Sequence, residues 1–172
     1  MITKENEEQA LCLNCGLGCQ GLLFSHAKIE NTPEDIQHAQ DLGFEIIEIK
    51  NRYVFPLPCQ YYIDQCCSIY YTNERPHVCR DFLCKLIREF RKGAVGFTEA
   101  QKIIAVARNK ADELAGEIAQ SQVLNETYFT AIGKQLKILK KNYQDDAAYR
   151  KELGKVIVLY YLLKKFLREY FL

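Results

Sequence analysis

The sequence has no strong excess of charge. Its 23 Lys and Arg offset 22 Asp and Glu, for a formal net charge of +1. That argues against a globally basic nucleic-acid binder and against a chain drawn to anionic membranes by charge. It also has no long apolar run. The stretch "VIVLYYLL" near the C-terminus gives way to Lys164, whereas a membrane-spanning helix needs about 20 apolar residues. The opening "MITKENEEQA" is polar and acidic. It lacks the basic start, apolar segment and small-residue cleavage site of a secretory signal. There is no low-complexity tract and no internal repeat. No Ser-His-Asp pattern or H-E-x-x-H helix is visible, which weighs against an autonomous enzyme without excluding one. The expectation is a cytoplasmic protein with no membrane span and no nucleic-acid partner. Finally, no cysteine follows Cys84, although eight lie between Cys12 and Cys84.

That confinement is informative. A chain of 172 residues suits one domain, or one with an appendage, and buries roughly 70% of its extended surface. It can build a core without disulfide staples. In a reducing compartment, clustered cysteines point to metal or redox chemistry rather than to four disulfides.

The local patterns divide the chain. Residues 11–21 read as a Cys/Gly-rich loop. "NTPEDIQHAQDLG" predicts a short helix, with Thr32 as cap, Pro33 in the first helical position, Glu34 and Asp35 at the positive end and Gly43 at the stop. "FEIIEIKNRYVFPLPC" predicts a hairpin that turns at Lys50-Asn51-Arg52 and ends at Pro56 and Pro58. The stretch from Gln60 to Cys84 reads as irregular. "KLIREFRKG" predicts a helix ending at Gly93. Beyond it the pattern is helical only, with Thr98 and Gln101 as a capping box. The expected fold is α+β: a small cysteine-rich metal-binding domain over 1–92 with a helical C-terminal extension over 93–172.

The stretch "CLNCGLGCQG", residues 12–21, admits two readings. GLGCQG spells the G-x-G-x-x-G of a dinucleotide loop. That loop needs a strand before it and a βαβ unit around it. Here a polar segment precedes it, and a helix begins at Pro33 where the second strand should start. No dinucleotide binding is expected. The other reading is a metal turn: Cys12 and Cys15 have the C-x-x-C spacing of two ligands on one ion, and Gly tolerates the positive φ of a tight loop. A tetrahedral zinc or iron site wants four ligands. Cys19, Cys59, Cys66, Cys67, Cys79 and Cys84 can supply the rest. Adjacent Cys66 and Cys67 do not both reach one ion without strain, so Cys66 faces away or serves a second ion. Cys79 and Cys84 lie about 140° apart on a straight helix and can share a centre only if a turn breaks between them.

The order "CLNCGLGCQG", "TPEDI", Cys59, then "CSIYYTNERPHVCRDFLC" resembles the CxxxCxxCC family, the zinc- or iron-chelating cysteine-cluster domain also called YkgJ-like. That family's second half has the form C-x-I-Y-x-x-R-P-x-x-C-R-x-F. Cys67, Ile69, Tyr70, Arg75, Pro76, Cys79, Arg80 and Phe82 follow it in order, with two extra residues before Arg75. In the first cluster Gly18 stands where a paired cysteine is expected. The resemblance covers residues 12–84. It implies chelation of zinc or iron by the cysteines, in a structural, metal-handling or electron-transfer role. Because the flagellin lysine methylase resembles the same family, it also admits a 4Fe-4S cluster. The alternatives are a component of an iron–sulfur redox or protein-modifying enzyme, and a zinc-stabilised interaction module.

Other residues take supporting parts. His77 is the best placed of His26, His38 and His77, with a surface role expected for it. Arg75 and Arg80 are expected to balance thiolate charge or to hold a carbonyl near the site, and Tyr70, Tyr71 and Phe82 to pack over the metal loops. Val156, Leu159, Leu163, Phe166, Leu167 and Tyr170 form one apolar helix face. It is expected to pack on neighbouring helices or, alternatively, to meet a protein partner or a second copy. The lysines of "KILKKN" read as a solvated face.

Overall fold

A computed structural model describes residues 3–120, 132, 133, 136 and 147–172. The expected helices across "NETYFTAIGKQLKILKKNY", and the "KILKKN" lysines, lie largely or wholly outside these.

The chain begins with a helix, α1 (Lys4–Cys15). Thr3 caps it by accepting from the Asn6 amide, and Glu5 and Glu7 favour its positive end. Gly16 stops it in the left-handed conformation, φ 63°. The expected cysteine loop is therefore a helix end followed by a turn, and Cys12 and Cys15 lie one turn apart on α1. The first strand, β1 (His26–Lys28), is followed by α2 (Pro33–Asp41). Helix α2 forms as the sequence predicts: the Thr32 hydroxyl accepts from the Asp35 amide, Pro33 opens the helix, and Gly43 leaves it at positive φ.

The hairpin of β2 (Ile47–Glu48) and β3 (Tyr53–Pro56) is also as expected. Ile49 and Arg52 exchange backbone hydrogen bonds of 2.9 and 3.1 Å around Lys50 and Asn51, both at positive φ. Two such residues make a tight turn whose twist matches antiparallel strands. Strand β1 joins the other edge of β3, giving the order β1-β3-β2, with Ala27 opposite Phe55 and Ile47 opposite Val54. Val54 and Phe55 point to opposite faces and both are buried.

The stretch after Gln60 is more ordered than its sequence suggests. Strands β4 (Tyr62–Ile63) and β5 (Cys66–Cys67) form a second hairpin, again over two positive-φ residues, Asp64 and Gln65. Then come α3 (His77–Asp81) and α4 (Lys85–Lys92), the latter ending on Gly93 at φ 78°. Helix α5 (Phe97–Gln120) starts one residue before the expected cap. The Gly96 carbonyl takes the Ala100 amide at 2.9 Å, so Thr98 lies inside the first turn. Helix α6 (Ala147–Tyr170) packs along α5. Its buried face carries Val156, Leu163 and Leu167, with Leu159, Phe166 and Tyr170 half-buried beside them.

Two cores result. The larger joins α1, α4, α5 and α6 through Leu11, Leu17, Leu86, Ile87, Phe90, Ile104, Leu153, Leu163 and Phe171. The smaller lies under the three-stranded sheet, where Ile29, Ala39, Phe44 and Phe55 are buried and Phe44 stacks on Phe55 at 4.2 Å. The secondary structure is α+β. No helix among the described residues is long and apolar enough to cross a membrane.

Candidate metal centre

All eight cysteines are free thiols, and the fold sorts seven of them into two groups. Helix α1 delivers Cys12 and Cys15, three residues apart and thus on one face. Cys84 occupies the N-cap of α4. All three lie against the helical core, and the charges of Cys12 and Cys84 bear on Cys15. The second group is built around the sheet. After the turn at Gly16, the carbonyl of Cys19 accepts the Cys59 amide at 2.7 Å. The Tyr62 amide bonds to the Cys59 carbonyl at 3.0 Å, and Tyr62 pairs with Cys67 across β4 and β5. Cys79 on α3 packs with Cys59 against the smaller core. Cys59, Cys67 and Cys79 all act electrostatically on Cys19.

Cys66 belongs to neither group by any contact with another thiol. It is the neighbour of Cys67 in a strand, so the two side chains leave opposite faces. The Cys66 thiol donates to the Cys67 carbonyl at 3.8 Å. Cys79 and Cys84, five positions apart, are separated by the break between α3 and α4 and go to different groups.

Burial dominates the chemistry of these thiols. It pushes Cys12 and Cys79 up to about 11 and Cys15 and Cys19 up to about 12, from an ordinary 9.0. Neighbouring thiols raise them further. Burial likewise raises Cys59 and Cys84. The amides of Ile87 and Leu86 oppose the rise at Cys84, as expected at a helix N-terminus, although its thiol makes no capping hydrogen bond. At neutral pH these groups therefore hold their protons unless a cation displaces them.

Arg75 is the cation between the two groups. It lowers Cys12 on one side and Cys19 and Cys79 on the other, in each case less than burial raises them. Its guanidinium lies 4.2 Å above the Tyr70 ring and donates to the Cys79 carbonyl. Among the described residues its Nε is buried without a hydrogen-bond partner. Such an orphaned charged donor is costly, and a thiolate in either group would be a natural acceptor. Tyr70 adds a hydrogen bond that favours the ionised form of Cys12.

Three positioning residues, Tyr62, Gln20 and Arg108, carried no sequence signal. The Tyr62 ring crosses Gly16 so closely that a Cβ there would clash with its hydroxyl, which explains the glycine along with its positive φ. Gln20 donates to the same hydroxyl at 3.0 Å. Arg108 on α5 donates to the Asn14 carbonyl at 2.7 Å and to the Gln65 side chain, tying the helix end and the β4–β5 turn together.

The remaining candidates stand apart. His38 bonds to the Glu74 carbonyl at 2.8 Å, His26 to Ser25 at 2.8 Å, and exposed His77 lies 3.9 Å from Asp35. Tyr71 is 73% exposed, and Phe82 packs edge-on against Phe24 rather than over a thiol group. Arg80 is exposed.

Among the described residues, no group of three or more His, Cys, Asp or Glu side chains is arranged so that it could hold a metal ion. The groups are close enough to feel one another's charge, and ligation would have to draw them inward. No family model, no curated protein and no solved structure matches the chain. The resemblance to the CxxxCxxCC family rests on its motif residues alone.

Proposed function

We propose that the protein is a metal-binding protein in which Cys19, Cys59, Cys67 and Cys79 chelate one zinc or iron centre. The observation that carries this reading is that four free thiols from four separate segments act on one another electrostatically, with Cys59 and Cys79 packed against the small core and a buried arginine donor nearby that has no hydrogen-bond partner among the described residues. Four thiolates satisfy a tetrahedral zinc or iron site. Burial raises the Cys19, Cys59 and Cys79 thiols, and a divalent cation displaces protons from such thiols and offsets the repulsion the resulting thiolates would otherwise feel. Arg75 then offsets part of the negative charge that four thiolates leave. Reduced thiols fit a reducing compartment such as the cytoplasm.

The role that follows is structural, or one of metal or electron handling. In the second reading, as part of an iron–sulfur enzyme, the same thiols would hold a cluster; the motif resemblance to the CxxxCxxCC family favours keeping it. Metal analysis of anaerobically purified protein, with an absorption spectrum, tests both. Stoichiometric zinc in a colourless protein supports a structural ion. Iron and sulfide with absorbance near about 400 nm support a cluster. Protein that purifies without metal and takes up neither ion would contradict the proposal.

A further inference from the structure

The chemistry of the thiols leaves one cleft unused. It measures about 500 Å³, the size of a small-molecule site. Three parts of the chain close on it: the first turns of α1, the stretch from Tyr70 to Arg80, and the last turn of α4. No cysteine among the described residues lines it.

The walls carry an unanswered positive charge. They hold four cationic side chains and two carboxylates. One pair cancels internally, because Arg91 grips both carboxylate oxygens of Glu8, at 2.6 and 2.8 Å. Glu5 is then the single acid left in the walls against Lys4, Arg75 and Arg80. None of these three cations forms an ion pair among the described residues. Two of them are held in place by neutral partners. The Lys4 ammonium donates to the Arg91 carbonyl at 2.9 Å. Arg75 donates to the Cys79 carbonyl and lies 4.2 Å over the Tyr70 ring. Like charges fixed around one cleft repel each other and concentrate a field that draws in an anion. Guanidinium groups favour phosphoryl and carboxylate oxygens, and a surplus of two charges matches a dianion. Tyr71 offers a surface for the rest of such a ligand. Its ring is 73% exposed at the cleft wall and is propped edge-on by Tyr70 at 5.0 Å. A ring held this way can cover the flat part of a bound molecule. Glu5 and Glu8 in the same walls, in a chain of net charge +1, disfavour a long polyanion such as nucleic acid.

We propose that this cleft binds a small organic dianion, with its charged head between Lys4, Arg75 and Arg80 and its ring laid on Tyr71. Aromatic phosphomonoesters and aromatic dicarboxylates share that chemistry. The site is separate from the thiols and stands whether or not they hold a metal.

The test is titration calorimetry of the full chain with phenyl phosphate and with phthalate, at low ionic strength. A pH of about 7.5 keeps the phosphomonoester mostly doubly charged. Saturable binding of one or both probes is expected, and the tighter one assigns the head group. Arg80→Gln should weaken that binding by about tenfold. Tyr71→Ala should weaken it by about fivefold. Arg80 and Tyr71 are both exposed, so neither change threatens the fold. Lys92→Gln removes an exposed charge of α4 that does not line the cleft and should leave the affinity as it is. No saturable binding of either probe would overturn the proposal, as would an affinity that survives Arg80→Gln. A loss in Lys92→Gln as large as in Arg80→Gln would overturn it too, by reducing the binding to general charge attraction. An affinity unchanged in Tyr71→Ala would overturn the place given to the ring.

Discussion

The helical core and the sheet core are built on different terms. Among the described residues the first buries 19 side chains, most of them on α1, α4, α5 and α6, while the second buries four. The helices bring their own ends as well. The Phe171 carbonyl takes the Lys85 amide at 3.1 Å, which locks the end of α6 onto the start of α4. The sheet has strands of two to four residues and a partner hairpin of two-residue strands. Such short ladders are marginal without further support. Cys59 and Cys79 pack against this weaker half, and Cys59, Cys67 and Cys79 act electrostatically on Cys19. A large apolar core can hold a protein without metal, whereas a small one beside several thiols is where an ion would add most.

The largest effect expected is on metal itself. Cys59→Ser with Cys79→Ser should abolish ion binding at the sheet and withdraw a contribution on the order of 10 kcal/mol, as in small structural zinc sites. Limited proteolysis should then cut within 57–84 while 97–120 survives. Equal cutting in both regions would erase the distinction between the cores.

Next come truncations in each core. Phe55→Ala removes one of four buried side chains under the sheet and should cost about 3–5 kcal/mol. Leu163→Ala in α6 should cost about 2–5 kcal/mol. The sharper difference is in rescue. Saturating zinc should restore much of the Phe55→Ala loss and little of the Leu163→Ala loss in urea titrations.

A pH effect of intermediate size separates metal-free from loaded protein. In the metal-free form Cys12, Cys15, Cys19 and Cys79 have folded pKa values of about 11 to 12, above the ordinary 9.0. The native state thus keeps protons that the unfolded chain releases. The associated stability is full below about pH 9 and is lost as pH rises through the folded values. Thermal melts of metal-free protein should fall between about pH 8 and pH 10.5. A metal-loaded sample, whose ligating thiols have already given up their protons, should fall less. Identical slopes would mean that the ion does not use these thiols.

The smallest effect is local. Thr32→Ala removes the hydroxyl that caps α2 and should cost about 1 kcal/mol by denaturant titration. Because α2 serves the smaller core through Ala39, the loss should appear in the sheet half.

Much of this arrangement was legible in the sequence, for physical reasons. Helix α2 announces itself through Thr32, Pro33 and Gly43, each satisfying a backbone requirement at a helix end. The β2–β3 hairpin shows through β-branched and aromatic runs around a polar turn, and the α6 face through its period. Helix α1 was hidden because it buries only Leu11, so no apolar period marks it. The available signal was Gly16, directly after C-x-x-C, in the place of a helix C-terminal glycine. That glycine also explains why Cys19, four residues after Cys15, joins another group: the chain reverses between them. The β4–β5 hairpin was hidden because its strands are too short to alternate visibly, and its turn, Asp64-Gln65, lacks the glycine that usually marks one. Division of the cysteines into two groups is a tertiary property, set by which core each segment packs against, and spacing alone does not encode it.

Hydrogen exchange with and without a metal chelator tests the central claim most directly. The account holds that an ion at Cys19, Cys59, Cys67 and Cys79 orders the sheet half, while the helical core holds itself. Chelation should therefore speed exchange over residues 57–84 first and most, with 97–118 and 153–171 largely unchanged. Unchanged protection over 57–84 after verified loss of metal would contradict it, and the thiols would then be no more than a packed part of the core.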